Sequence, residues 1–408
     1  MDKNAIGCLE IASSAVRLLI GYELSGHPVV IFATEKPAKD LLDGDKIDLA
    51  ELSSLLGSLH TIVDDDRHLR ITLTTVNLLL PSAGLKVFTD EKSTAIVNPE
   101  FGVDKIDVTN VISLVTQQSL PSGLSLVDAI PDQFILDDGS VYANPPLGKK
   151  TRSLEVMAKV HCLPTDVKEL YNKAILAAGF RVNKQCVSAY AASRLLQTYD
   201  DLPKTYILLD IGAKTSTVSF IGEGSPYNSL YFYCGGQDLT QSIAKDLNLP
   251  EEEAESLKTR RGYDPRENSY SPALSSLCSA TQADLNKSIE GFFEDYGRRL
   301  SNAVETLMSA YRGPEFASLP VVCIGGGSKL RGLAEFLQKA LPGREIVPII
   351  PKSIGARDPK YASLLGLLLF ASKYNGSLED NRRGVVPLSR TAGKKEKKRH
   401  IGADEDAL

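Results

Sequence analysis

The sequence predicts an α/β fold built from a duplicated half, interrupted by an α+β insertion and ending in a charged tail. Three observations predict it. Two segments 200 residues apart share one plan, glycine-rich turns directly follow apolar strands, and the stretch between the halves has a different texture. The 408 residues, 43 % apolar and 24 % charged, supply a large core and exclude global disorder. The 46 Lys plus Arg against 51 Asp plus Glu leave a net charge of -5, with no basic excess to neutralise a nucleic-acid backbone.

The first half opens with Gly7-Cys8-Leu9-Glu10-Ile11-Ala12-Ser13-Ser14-Ala15-Val16, and the second with Leu208-Leu209-Asp210-Ile211-Gly212-Ala213-Lys214-Thr215-Ser216-Thr217. Each is an apolar strand with one carboxylate near its end, a turn of small residues and a second strand, followed by a third near residues 29–33 or 229–233. Residues between about 82 and 163 read as the insertion, with strands around a helix near 108–118. The chain returns on an amphipathic helix of Val167, Leu170, Tyr171, Ala174, Ile175 and Ala178, closed by Gly179.

Beyond the second hairpin, Asp238 is placed to cap a helix reaching about Asn248, and Glu251, Glu252 and Glu253 fill the first turn of the next. The apolar period from Leu285 to Tyr311 predicts a long helix of about seven turns. A strand over 319–325 then runs into Gly325-Gly326-Gly327-Ser328 and a helix over about 330–341, and a last helix covers about 359–374. The resulting division is 1–82 with 164–202 as the first lobe, 83–163 as the insertion, 203–240 with 313–375 as the second lobe, 241–312 as its subdomain and 376–408 as a disordered charged tail.

Six cysteines without a CxxC pair predict reduced core thiols. The N-terminal residues lack the pattern of a signal peptide, and the longest apolar run, near 364–371, is about half of a membrane span, so a cytoplasmic protein is expected.

Small-residue turns after strands let backbone N–H groups approach phosphate oxygens. Two such hairpins facing each other would grip a nucleotide through Ala12, Ser13 and Ser14 on one side and Gly212, Ala213, Lys214 and Thr215 on the other. Glu10 and Asp210 at the strand ends would hold a hydrated Mg²⁺ and orient an attacking water. Gly325, Gly326, Gly327, Ser328 and Lys329 would give adenine and ribose a flat backbone to lie on.

The order of these motifs resembles the actin-like ATPases, with their two-lobed, duplicated ribonuclease-H-like fold, and among them the FtsA family of bacterial cell division. Also similar are Gly235-Gly236-Gln237-Asp238-Leu239-Thr240 and the helix residues Glu255 and Lys258, which by resemblance lie beside the ribose. Within the insertion, the runs from Asp128 to Asp137, Asn144 to Gly148 and Leu154 to His161 resemble the family's inserted domain 1C. The resemblance covers about residues 4–374. It implies Mg²⁺ and ATP in the interlobe cleft, self-association, and partnership with the tubulin-like FtsZ and later division proteins at the inner face of the membrane.

Three departures accompany it. Glu10-Ile11-Ala12 stands where Asp-Ile-Gly is usual, Lys214 where glycine is common, and Ser188, with Gln185 one turn earlier on the same helix, where relatives place Glu or Gln to orient water. Weak or absent hydrolysis is therefore expected. The tail, with Lys394, Lys395, Lys397, Lys398 and Arg399 ahead of Asp404, Glu405 and Asp406, forms no amphipathic stripe, so membrane contact would rest on charge. The rival reading is an actin-fold adaptor of the type IV pilus, PilM-like kind, binding a partner peptide without forming filaments.

Overall fold

The computed structural model describes residues 5–38, 42–43, 46–64, 69–266, 273–274, 279–375, 385–386 and 388–390. Its two halves repeat one sheet. In the first, His27–Pro37, Ala15–Leu24 and Ala5–Ile11 form an antiparallel run that continues, now parallel, through Thr75–Leu80 to Arg181–Val187. In the second, Ser225–Phe232, Ser216–Gly222 and Tyr206–Ile211 are antiparallel, and Val321–Ile324 and Ile346–Pro348 extend them in parallel. Strand order and polarity agree throughout, so the duplication read from two hairpins extends to whole sheets.

Helices bury these sheets. Ser188–Leu196 and Ala362–Asn375 pack together on the first sheet. The second of these is apolar on every side, as a fully buried helix must be, with Leu364, Leu365, Leu367 and Leu368 removed from solvent. Gly366 lets the two backbones meet: a Cβ there would overlap the carbonyl of Ala191. The 27-residue helix Gln282–Met308 covers the second sheet through Leu285, Ile289, Phe293, Tyr296 and Leu300. At its start the Asp284 carboxylate accepts from the Thr281 N–H at 2.8 Å, satisfying one terminal donor.

The insertion places helix Lys105–Thr116 against the long antiparallel strands Lys86–Ala95, Leu124–Leu136 and Ser153–Pro164, with its own core around Val111, Phe134 and Val156. Although it interrupts the first half, its sheet joins the second, through pairing of Lys86 with Asn228 on Ser225–Phe232. Lys159 reinforces the joint, its ammonium 3.8 Å from the centre of the Tyr227 ring.

Cys8, Cys162, Cys186, Cys234 and Cys323 are buried and unbridged, as expected of core thiols, and Cys278 lies outside the described residues. No helix among the described residues is long and apolar enough to cross a membrane. One expectation is corrected within 376–408. Val385–Val386 pairs with Ala5–Ile6, and Leu388–Arg390 pairs with Leu69–Thr72. The run Val385-Val386-Pro387-Leu388 is apolar and β-branched, a local signal that the charged average of the tail conceals. The basic and acidic clusters of 394–406 lie outside the described residues.

His161 is buried against Tyr190 with neither ring nitrogen hydrogen-bonded. Burial, aided by Lys159, pushes its imidazole down from 6.5 to about 3. The unfolded chain takes up a proton at this residue as pH falls through 6.5 while the folded chain does not, so stability is lost over that acid range. His161→Phe is expected to flatten the acid side of the stability profile, read by urea titration between about pH 7 and about pH 4. Gly366→Ala is expected to cost about 1–3 kcal/mol in the same assay, because two backbones in van der Waals contact cannot admit a methyl group.

Candidate functional site: the interlobe cleft

The two hairpins close in the same way. The Ala12 N–H donates to the Ala15 carbonyl at 2.9 Å, and the Gly212 N–H to the Thr215 carbonyl at 2.9 Å. Both turns face one cavity of about 1170 Å³, lined by Ala12, Ser13 and Ser14 from the first and by Gly212, Ala213, Lys214 and Thr215 from the second. The Gly235–Gln237 backbone rests on the second turn, with the Gly236 N–H on the Gly212 carbonyl at 2.9 Å and the Gln237 N–H on that of Ala213 at 2.8 Å.

Glu10 and Asp210 end their strands on the floor of this cavity. Burial, together with the nearby Glu10 carboxylate, pushes Asp210 up to about 7 against a weaker opposing pull from Arg17. Glu10 is compensated directly. Arg17 stands opposite it in register on the next strand, with Nη1 3.1 Å from Glu10 Oε2, and Glu35 on the third strand accepts from Arg17 Nε at 3.2 Å. Burial disfavours the charged guanidinium, but the two carboxylates outweigh it and raise its pKa. Lys360 bonds Glu35 from the far side.

On the opposite wall, the Gly325 backbone has φ +83°, and a Cβ there would overlap both Asp210 Oδ1 and the Ile211 carbonyl. The Ser328 hydroxyl turns inward to the Gly325 carbonyl at 2.8 Å, bracing the loop from behind. Lys329 pairs with Asp358 at 2.7 Å; burial alone would raise the Asp358 carboxyl, but Lys329 and Lys360 hold it below the usual range. Glu255 and Lys258 also face the cavity. The Lys258 ammonium reaches the Gly236 carbonyl at 2.9 Å, Thr240 Oγ1 at 2.8 Å and Glu255 Oε2 at 2.6 Å, so it orders the glycine turn and helix Gly236–Leu247.

The structure therefore gathers nearly all the predicted residues around one cavity, except Ser328, which faces away behind the loop, and Gln185. Gln185 lies elsewhere. It is on strand Arg181–Val187, donates to Asn172 Oδ1 at 2.5 Å and lines a small separate pocket beside Asp128. Because the helix begins only at Ser188, three residues of extended chain, about 10 Å, separate the two side chains instead of one helical turn. Ser188 does reach the cavity, with its hydroxyl 2.9 Å from that of Ser82. Arg17, Glu35 and Lys360 are the residues missed by motif reading. Cross-strand arithmetic from the turn finds the first, since pairing Ile11 with Val16 puts Glu10 opposite Arg17, but not the second: a register shift at Ile20 and Gly21 moves Arg17 from opposite Thr34 to opposite Glu35.

A family model described as cell division protein FtsA matches residues 207–366. FtsA of Streptococcus pneumoniae is 23 % identical over 369 residues, covering 90 % of this chain and 79 % of its own length. Over most of its length the chain is thus similar to FtsA. Solved structures share its fold. A chain of the PilM-PilN type IV pilus biogenesis complex superimposes with TM-score 0.55 at 18 % identity over 91 % of this chain and 98 % of its own. MreB5 of Spiroplasma citri bound to ADP gives 0.51 at 12 % identity, over 91 % and 97 %. The fold is thus actin-like.

Glu10 and Asp210, expected to hold a metal, have their charge offset within the protein. Mg²⁺ requires oxygen ligands in near-octahedral geometry, commonly one or two ionised carboxylates. In this chain Glu10 is ion-paired with Arg17, and Asp210, at about 7, keeps a proton on much of its population near neutrality. Among the described residues no group of three or more His, Cys, Asp or Glu side chains is arranged to hold a metal. The residues present do not fit a protein-held Mg²⁺.

Asp210 also makes a stability prediction. As pH rises from about 4 to about 7 the unfolded chain releases its carboxyl proton while the folded chain retains it, so stability falls with rising pH. Asp210→Asn removes that loss. Its melting temperature is expected to exceed the parent's at neutral pH and to converge with it near pH 4, read by paired thermal melts.

Proposed function

We propose that this chain binds an adenine nucleotide between its two hairpins and acts as a divergent FtsA-like protein of bacterial cell division. In this reading it assembles at the division site and links a tubulin-like FtsZ ring to the membrane or to later division proteins. The observation that carries the nucleotide is the matched pair of backbone turns facing one cavity whose far wall, at Gly325, has no room for a side chain.

The residues take distinct parts. Backbone N–H groups of 13–14 and 213–215 would bind phosphate oxygens, Ala12 and Gly212 closing the turns that present them, and the backbone of 325–327 would carry the base and ribose beside Glu255. Lys258 keeps the 235–236 turn in place. Hydrolysis would be weak, since the Ser188 hydroxyl is engaged by Ser82 and Gln185 points into another pocket. A ligand gripped by both lobes favours their closed arrangement by its difference in affinity for the two, which would tie assembly to nucleotide.

Calorimetry with ATP tests this. The parent is expected to bind, and Gly325→Val, which drives a branched side chain into Asp210 and Ile211, to lose at least about tenfold in affinity, a change of about 1.4 kcal/mol. Sedimentation with nucleotide then separates the two readings. Nucleotide-dependent pelleting supports a filament, whereas binding without pelleting supports the PilM-like adaptor.

A further inference from the structure

The phosphate end of the cleft carries its own cation. Building on the nucleotide reading, we propose that the Arg17 guanidinium replaces a divalent cation there, so that this chain holds nucleotide phosphates without Mg²⁺.

The geometry gives three reasons. First, Arg17 already occupies the place between carboxylates where a cation would sit, with Nη1 3.1 Å from Glu10 and Nη2 3.2 Å from Glu35, and only 12 % of its side chain is exposed. Second, the charges balance before any ligand enters: Glu10 and Glu35 face Arg17 and Lys360, and Lys360 is bonded to Glu35. A metal ion at Glu10 would have to share that carboxylate with the guanidinium, which holds Oε2. Third, the fork has donors to spare. Nε–H and one N–H of Nη1 meet carboxylates, leaving further N–H groups on Nη1 and Nη2 for phosphate oxygens. A guanidinium is always protonated and weakly hydrated, whereas Mg²⁺ gives up its water reluctantly.

This assigns opposite signs to Glu10 in the two schemes. A carboxylate that holds Mg²⁺ helps the nucleotide, while one that holds Arg17 competes with it.

The test is calorimetric titration of the full chain with ATP and with ADP, in excess Mg²⁺ and in EDTA. The expected dissociation constants agree within about threefold between buffers, and Glu10→Gln tightens binding by about two- to tenfold in both. Arg17→Ala is expected to weaken binding at least about tenfold in EDTA, and Arg17→Lys to recover part of it. Should Arg17→Ala fail to fold by circular dichroism, the parent and Glu10→Gln still decide. Parent binding that weakens tenfold or more in EDTA, or Glu10→Gln that loses affinity in Mg²⁺, overturns the role given to Arg17 while leaving nucleotide binding intact. Binding in neither buffer overturns the nucleotide reading, and this inference with it.

Discussion

Two carboxylates from equivalent strands end on the floor of one cleft, and the charge they bring must be offset there. Symmetry creates the difficulty, since each hairpin delivers its acidic residue at the same point and the two cavity walls bring them close. The halves resolve it differently. Glu10 pairs with Arg17, whereas Asp210, desolvated beneath Gly325, is pushed toward the protonated form. A carboxylate at each position without one of these remedies would leave like charges facing each other in a poorly solvated space. The asymmetry is written in the second strands, where Arg17 occupies the register position that Thr217 takes in the other hairpin.

Much of this was legible in the amino-acid order because the duplicated half is local. A strand, a small-residue turn and a second strand lie within about 15 residues, and the turn alone fixes which side chains oppose each other. The glycine-rich wall was legible for a related reason: Gly325, Gly326 and Gly327 in succession are costly unless a neighbour approaches the backbone, and here Asp210 and Ile211 do. Gln185 misled because a helical period was assumed across a boundary that the sequence marks weakly. Of the two residues before it only Val187 is β-branched, and Ser188 suits either a strand end or a helix start.

Long-range partnerships were not legible. The insertion is flanked by first-lobe segments, yet its sheet continues the second lobe's, and the evidence lies in one residue pair, Lys86 with Asn228, and one cation over a ring, Lys159 on Tyr227. Neither pair is close in sequence or distinctive in composition. The same applies to Lys360, which reaches Glu35 across 325 residues because the buried helix that follows it is anchored on the first lobe by Gly366.

That last connection sets how the site would respond to a ligand. Lys360 lies one residue from Pro359, whose carbonyl accepts the Gly325 N–H, and two from Asp358, which holds Lys329. The same lysine bonds Glu35, which shares Arg17 with Glu10. The cleft floor at Glu10 and the opposite wall at Gly325 are therefore joined by a continuous run of polar contacts through one short turn. An anion that draws on Arg17 lessens its hold on Glu35 and leaves Lys360 to carry more of that carboxylate. The turn that positions Gly325 is then held more firmly to the first lobe. Because each contact in the run has two partners, occupation at one end redistributes charge at the other without any side chain being left unpaired. In this way charge compensation that is needed in the empty cleft also provides the physical link between the two lobes.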